Sequence, residues 1–471
     1  MELRALLGAA GPGAVLGGTG DDRVDVTGVA HDSRAVTPGT LFCCVRGRRT
    51  DGHDHAPAAV AAGAVALLCE RPLGLGVPEV VVPDVRRAMG PVAAAVHGHP
   101  SEALAVVGVT GTNGKTTVTH LLAAVLRGAG RDTAVIGTLG GARTTPEAPE
   151  LQALLAHHRD AGAVAVAMEV SSHALDQHRV DGTRVAVAAF TNLSVDHLDY
   201  HGTMDAYFAA KARLFTPELS ARGVVNADDP WGRRLLEEAP IPVVPTSLAD
   251  AEALHLTLDG SYFRWRARPV ALPLVGRFNV ANALVAATVA EVLGLSADEI
   301  AAGLSQAPPV PGRMEPVTAG QPFSVLVDYA HTPDGLEQVL RTLREVRPDG
   351  RLVVVFGAGG DRDAGKRPLM GRAVGSLADH VIVTSDNPRS EEPDAIIGAV
   401  LSGLPAGVSA RVQPDRRAAI ALALDEARPG DVVLVAGKGH ETGQEIAGRV
   451  VPFDDRVVAR ELLEARWGSH P

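Results

Sequence analysis

Lysine is almost absent from this chain. Four lysines stand among 44 basic residues in 471 positions, so the other 40 are arginine. They are Lys115, Lys211, Lys366 and Lys438. Wherever a generic surface cation suffices, the chain uses arginine. The lysines that remain mark places where a guanidinium cannot stand in for a compact ammonium that can also react as an amine. Cysteine is scarce too. Cys43, Cys44 and Cys69 form no CxxC pair and no even framework, which excludes a disulfide scaffold and points to reduced thiols. Aromatic residues make up 3% and the net charge is −11, which argues against a nucleic-acid groove. No apolar run reaches the roughly 18 to 20 residues of a membrane span. The start, MELRALLGAAGPGAVLGG, has one arginine and broken apolarity and makes a poor signal peptide. These absences lead us to expect a cytoplasmic monomer with neither nucleic acid nor membrane as partner.

What is present is ample apolar material, 46% of the chain, in a length that suggests about three domains. Strand-like apolar runs alternate with amphipathic helical runs, the pattern of parallel sheets with crossover helices. The α/β reading places breaks near HGHPSEA and APPVPG, giving units over 1–99, 100–308 and 309–471. In the central unit it expects strands over 104–110, 132–138, 163–170, 184–193 and 223–227, helices over 115–128 and 203–215, and a hairpin turning at Asp259-Gly260. The last unit restarts with SVLVDYA, RLVVVFGAG, HVIVTSD and DVVLVAGKG, a second doubly wound sheet. Its unusual residues fall at strand ends, where such sheets bind ligands.

The segment GVTGTNGKTT follows a strand and opens a helix. Gly111, Thr112, Asn113 and Gly114 can wrap backbone N–H groups around a phosphate. Lys115 can reach the β- and γ-phosphates, and Thr116, followed by Thr117, can hold Mg²⁺. The spacing is the shorter GxxGK[ST] form, and the plain alternative is a structural glycine turn. Glu169 and His197 lie just past strand ends, and a carboxylate there suits Mg²⁺. His197 alone reads more readily as a hydrogen-bonded structural histidine, and with Glu169 at the next strand end both readings stand; the plain alternative for Lys211 is a mid-helix surface lysine.

Taken in order, GTNGKTT, EVSSHAL, DHLDYHGT, GRFNVANALVA, PGRME, VDYAHTPD, GAGGDRDAGKRP, DNPR and GKGHE resemble the Mur ligases over roughly residues 28 to 441. The resemblance implies three domains: uridine-nucleotide binding, a P-loop-type ATPase, and a mobile Rossmann-like amino-acid domain. It implies an ATP-dependent amide ligase joining meso-2,6-diaminopimelate to UDP-N-acetylmuramoyl-L-alanyl-D-glutamate through an acyl phosphate. It also implies that Lys211 is carbamylated and joins Thr116, Glu169 and His197 around the metal. Asn279, Asn282, Arg313, Asp328 and His331 correspond to further ATP contacts. Ser33 matches the uridine contact, and Thr144, Thr145, Ser171, Gln177 and Arg179 match contacts to the dipeptide. Arg362, Asp386, Asn387, Pro388, Arg389, Gly437 and Glu441 match the acceptor's contacts. Arg389 can grip the far carboxylate of diaminopimelate with two parallel donors. On that argument an acceptor lacking the carboxylate leaves a buried arginine unpaired. His201 is a candidate acceptor for the amine's proton. The stretch GTLGGARTTPE, with Arg143 ahead of its threonines, is shorter than the family's, as in a relative acting on another carboxylate; the runner-up is another amide ligase of this superfamily, such as a folylpolyglutamate synthetase, which DNPR and the TTP-to-EVSSH spacing disfavour. A P-loop motor would have no use for Lys211 or Arg389.

Overall fold

A computed structural model describes residues 1–19, 21–47, 50–141 and 143–468. Three sheets carry the molecule. The central one is wholly parallel, with six strands in the order Val243–Thr246, Gly223–Asn226, Val187–Phe190, Ala105–Thr110, Ala165–Glu169 and Thr133–Ile136. Helices cover both faces, so the inner strands are buried on both sides and read as largely apolar runs, while the edge strand Val243–Thr246 leaves Val244 and Pro245 exposed. Two apolar layers result: Val107 and Val109 face Leu122 and Leu284, while Val106 and Met168 face Leu155 and Phe215. Ala105–Thr110 lies between the strands that follow it on either side, which is the switch point of the sheet.

The C-terminal sheet orders Glu315–Pro316, Ser324–Asp328, Val432–Ala436, Leu352–Phe356, His380–Val383 and Ala410–Val412, with only the first strand antiparallel. Its parallel strands deliver Asp328, Ala358–Arg362, Asp386–Arg389 and Gly437–Glu441 to one edge. The N-terminal sheet runs Val15–Gly18, Pro78–Val81, Ala64–Cys69, Thr40–Cys43 and Gly28–Ala30. It docks through the helix Val85–Val96, where a Cβ on Gly90 would meet the Asp181 carbonyl oxygen at 2.1 Å. A larger residue there would push the two units apart.

Two local expectations change. The hairpin is a three-stranded meander, because Arg268–Leu272 pairs back onto Gly260–Trp265 and buries Trp265 and Val270. The helix expected over 203–215 is α-helical over Met204–Ala212 and tightens to a 3₁₀ turn at Arg213–Phe215. Among the described residues no helix is long and apolar enough to cross a membrane.

Candidate active site

The phosphate loop leaves the switch-point strand and enters the helix Lys115–Gly128. Gly114 caps that helix at φ 88°, and no side chain satisfies the first N–H groups. They remain available to an anion and carry the positive end of the helix dipole. A Cβ on Gly114 would sit 2.3 Å from Asn282 Oδ1, so the helix Arg277–Val292 presses on the loop. Asn113 N–H donates to Asn192 Oδ1 (3.0 Å), and its side chain donates to Asp334 of the C-terminal unit (3.2 Å). Lys115 Nζ folds over the loop onto the carbonyls of Gly111 (2.9 Å) and Thr112 (2.8 Å). Burial holds its pKa below that of an ordinary lysine.

The Thr116 hydroxyl donates to Glu169 Oε2 (3.0 Å) and accepts from Arg313 Nη2 (3.1 Å). Thr138 adds its backbone N–H (2.9 Å) and hydroxyl (3.1 Å) to the same carboxylate. These are hard oxygen donors and fit a hard divalent cation. Among the described residues there is no cluster of three or more His, Cys, Asp or Glu fit to hold a metal. Mg²⁺ commonly takes one or two protein oxygens, with phosphate and water supplying the rest. His197 does not bond to this group. It pairs with Asp196 (3.3 Å) and packs edge-on against His173, ring centroids 4.8 Å apart. Lys211 is fully buried, and its Nζ donates to the Gly111 carbonyl oxygen (2.8 Å). Burial first, and Lys115 second, hold its pKa well below that of an ordinary amine. His201 bonds to Ser172 (2.9 Å) and does not line the main cavity.

That cavity, of about 1150 Å³, is lined by loop residues 112–117 and by Glu169, Asn279, Asn282, Arg313, Asp328 and His331. Asn279 lies in the first turn of the helix Arg277–Val292, and its Nδ2 donates to the Val275 carbonyl oxygen (2.9 Å). Asp328 is buried, and burial raises its pKa even though it accepts N–H bonds from Met314 (2.7 Å) and Ala330 (2.8 Å). His331 Nδ1 lies 2.8 Å from the Tyr329 carbonyl oxygen, and burial pushes its pKa down to about 4. The ring is therefore neutral near pH 7, with Nδ1–H donating and Nε2 left as an acceptor.

At one side of the cavity, Thr145 Oγ1 donates to the Glu169 carbonyl oxygen (2.9 Å) and accepts from Ser171 N–H (3.0 Å). Thr144 lies 3.1 Å from Thr138, oxygen to oxygen. Arg179 donates to the Thr145 carbonyl oxygen (3.1 Å) and to Gln177 (2.7 Å). Sequence reasoning missed Glu147, a nearly buried carboxylate that draws in Arg86 (3.4 Å), Arg143 (2.9 Å) and Arg179 (3.1 Å). Its only signal was its place directly after the TTP triplet. Three guanidinium groups on one carboxylate leave an excess of positive charge for an acidic ligand. Within the clipped stretch, Ala142 lies outside the described residues. Ser33 sits on a turn of the N-terminal unit and does not line this cavity.

The opposite wall is the C-terminal edge, with Arg362, Asp386, Asn387, Arg389, Gly437 and Glu441. Pro388 lies behind, where its carbonyl oxygen would stand 1.8 Å from a Cβ on Gly360. Lys438 is buried and organises the wall, donating to Asn387 Oδ1 (3.1 Å) and Glu441 Oε2 (2.8 Å). Burial alone would raise the Glu441 pKa, yet Lys438 holds it below the usual range. Burial keeps Asp386 raised, with Arg416 opposing. Arg389 requires a correction. It is paired already, its Nε donating to Glu445 Oε2 (3.2 Å) and its Nη1 to the Gly360 carbonyl oxygen (2.6 Å). An acceptor without a second carboxylate does not strand it.

Two largely parallel sheets meeting at a phosphate loop, with polar walls on both sides of one cavity, suit an enzyme that works on a bound phosphate compound and two further molecules. The comparisons agree. The N-terminal residues 25–107 match the Mur ligase family catalytic domain, residues 109–290 the Mur ligase middle domain, and residues 312–439 the Mur ligase glutamate ligase domain. The UDP-N-acetylmuramoyl-L-alanyl-D-glutamate–2,6-diaminopimelate ligase of Streptomyces avermitilis is 46% identical, covering 99% of this chain and 96% of that protein. The ligase of the same name from Chromobacterium violaceum is 47% identical over 94% of this chain and 95% of its own length. A solved structure of a ligase with that name superposes with TM-score 0.66 at 37% identity, covering 94% of this chain and 96% of the other. The chain belongs to the Mur ligase family and is an ATP-dependent ligase.

Proposed function

We propose that this ligase adds meso-2,6-diaminopimelate to UDP-N-acetylmuramoyl-L-alanyl-D-glutamate during peptidoglycan precursor synthesis. The observation that carries the reading is the single cavity shared by the phosphate loop, the Thr145–Ser171–Arg179 chain and the Asn387–Lys438–Glu441 wall. The near-full-length likeness to two enzymes bearing that name supports it.

In this reading the first-turn N–H groups and Lys115 hold the β- and γ-phosphates of ATP. Asn279, Asn282, Asp328 and His331 hold the nucleoside part. Thr116 and Glu169 orient a Mg²⁺ ion, which when bound neutralises charge on the phosphates. Arg179 and Thr145 aim the dipeptide's carboxylate at the γ-phosphate, with Arg143 and Arg86 adding positive charge and Ser33 taking the uridine. The carboxylate displaces ADP and becomes an acyl phosphate. The acceptor's neutral amine then displaces phosphate and leaves an amide. Asp386 and Glu441 hold the acceptor's far ammonium, and Arg389 its far carboxylate. Lys211, buried and with its pKa held well below that of an ordinary amine, can take up CO₂ and so place a negative carbamate where an ammonium would repel the metal. An arginine at this position could not take up CO₂.

The test is ADP and phosphate release with the dipeptide donor and each candidate amino acid. Release with diaminopimelate well above that with L-lysine is expected. No ADP with both substrates present would overturn the reading.

A further inference from the structure

Glu445 belongs to none of the motifs discussed above, yet it occupies the guanidinium assigned to acceptor recognition. The hairpin of Gly443–Ile446 and Arg449–Pro452 is stitched along the DNPR loop by its backbone. Arg389 N–H donates to the Glu445 carbonyl oxygen (3.0 Å), and Ala447 N–H donates to the Arg389 carbonyl oxygen (2.7 Å). Glu445 N–H donates to Asn387 Oδ1 (3.0 Å), and Gln444 Nε2 donates to the Asp386 carbonyl oxygen (2.7 Å). The backbone thus sets where Glu445 stands, and its side chain reaches Arg389 through a 3.2 Å bond.

A guanidinium grips a carboxylate through Nε with Nη2, or through Nη1 with Nη2. Each fork of Arg389 has one nitrogen engaged, Nε by Glu445 and Nη1 by the Gly360 carbonyl oxygen. The Gly360 backbone is pinned, its N–H donating to the Asn387 carbonyl oxygen (2.8 Å) and its Cα crossing close against Pro388. The Glu445 side chain is 42% exposed and can swing into water. The fork that opens is therefore Nε with Nη2.

We propose that Glu445 is a specificity-determining residue, an internal carboxylate that competes with the acceptor's far carboxylate for Arg389. The inference rests on the acceptor reading above. A dicarboxylic acceptor must displace Glu445 and gains only the difference between the two pairings. An acceptor ending in a bare ammonium leaves the pair intact and pays no penalty for an orphaned arginine. Glu445 thus lowers affinity for the dicarboxylic acceptor and narrows the discrimination between the two.

The experiment is Glu445→Gln in the full chain, which keeps the side chain's shape and the backbone bonds. An exposed pair of this kind predicts a KM for meso-diaminopimelate lower by roughly 1.5- to fivefold. The KM for ATP should be unchanged and use of L-lysine no better. Placing Arg389→Ala beneath Glu445→Gln should abolish the gain, because Glu445 acts through Arg389. An unchanged KM in Glu445→Gln refutes competition. A raised KM also refutes it and means that the carboxylate receives the acceptor's ammonium. A wild-type enzyme that makes no ADP with diaminopimelate and donor overturns the acceptor reading itself, whereas an active wild type with an unmoved variant overturns this inference alone.

Discussion

Gly114→Ala separates two costs that the phosphate loop combines. At φ 88° an alanine meets the left-handed penalty, about 1–2 kcal/mol. Its Cβ also lands 2.3 Å from Asn282 Oδ1, inside any tolerable contact. Asn282 is 7% exposed, so turning it aside forces an unfavourable rotamer at about 0.5–1.5 kcal/mol. If ATP binds only the native loop shape, the sum of roughly 1.5–3.5 kcal/mol raises the Kd for ATP about ten- to three-hundred-fold. Calorimetric titration of ATP into the folded variant measures this. Asn282→Ala in the same chain removes the collision and leaves the backbone cost. A double-mutant cycle should then show favourable coupling of about 0.5–1.5 kcal/mol. ATP affinity within twofold of wild type in Gly114→Ala, or strictly additive effects in the cycle, refutes the claim that Asn282 shapes the loop.

Three other outcomes are expected. Arg416→Leu strands Asp455 in a site where both side chains are fully buried and joined by two 2.7 Å bonds. Denaturant melts should show a loss of about 3–5 kcal/mol, and a loss under about 1 kcal/mol would contradict the buried pairing. Lys211→Ala should fold yet nearly lose turnover, with partial recovery in small carboxylic acids; full activity without rescue rules out the carbamate. Finally, burial pushes His173, His331 and His440 from an ordinary 6.5 down to about 4. Between those values the unfolded chain binds protons that the native one refuses, so stability falls as pH drops from about 6.5 and the loss levels off near 4. Thermal melts from pH 7 to pH 4 should follow that slope, and His173→Gln should flatten it. An identical slope in the variant removes His173 from the account.

The fold was legible where burial on both faces of a parallel sheet forces continuous apolar runs, as in RLVVVFG, which becomes the buried strand Leu352–Phe356. The phosphate loop was legible because glycine spacing and an uncapped helix start are local signals. The second layer of each site was not. Glu445 and Arg389 are 56 positions apart, and Arg86 and Glu147 are 61 apart, so no window of sequence joins them. Both pairs exist because separate strand ends and helix starts converge in space. Lys438 was marked by rarity, but its work as a buried strut between Asn387 and Glu441 depends on that convergence. The third strand of the meander escaped notice because Arg268–Leu272 alternates only briefly and follows a short turn.

The scarcity of lysine has a practical side. Lys211 and Lys438 are sealed, 1% and 0% exposed. Lys115 and Lys366, partly open, both face the cavity. An acylating dye offered to the folded enzyme therefore meets no side-chain amine on the outer surface. Apart from the terminal α-amine, every label it leaves would report on the cleft, and protection by nucleotide would be readable in a single mass spectrum without any engineered tag.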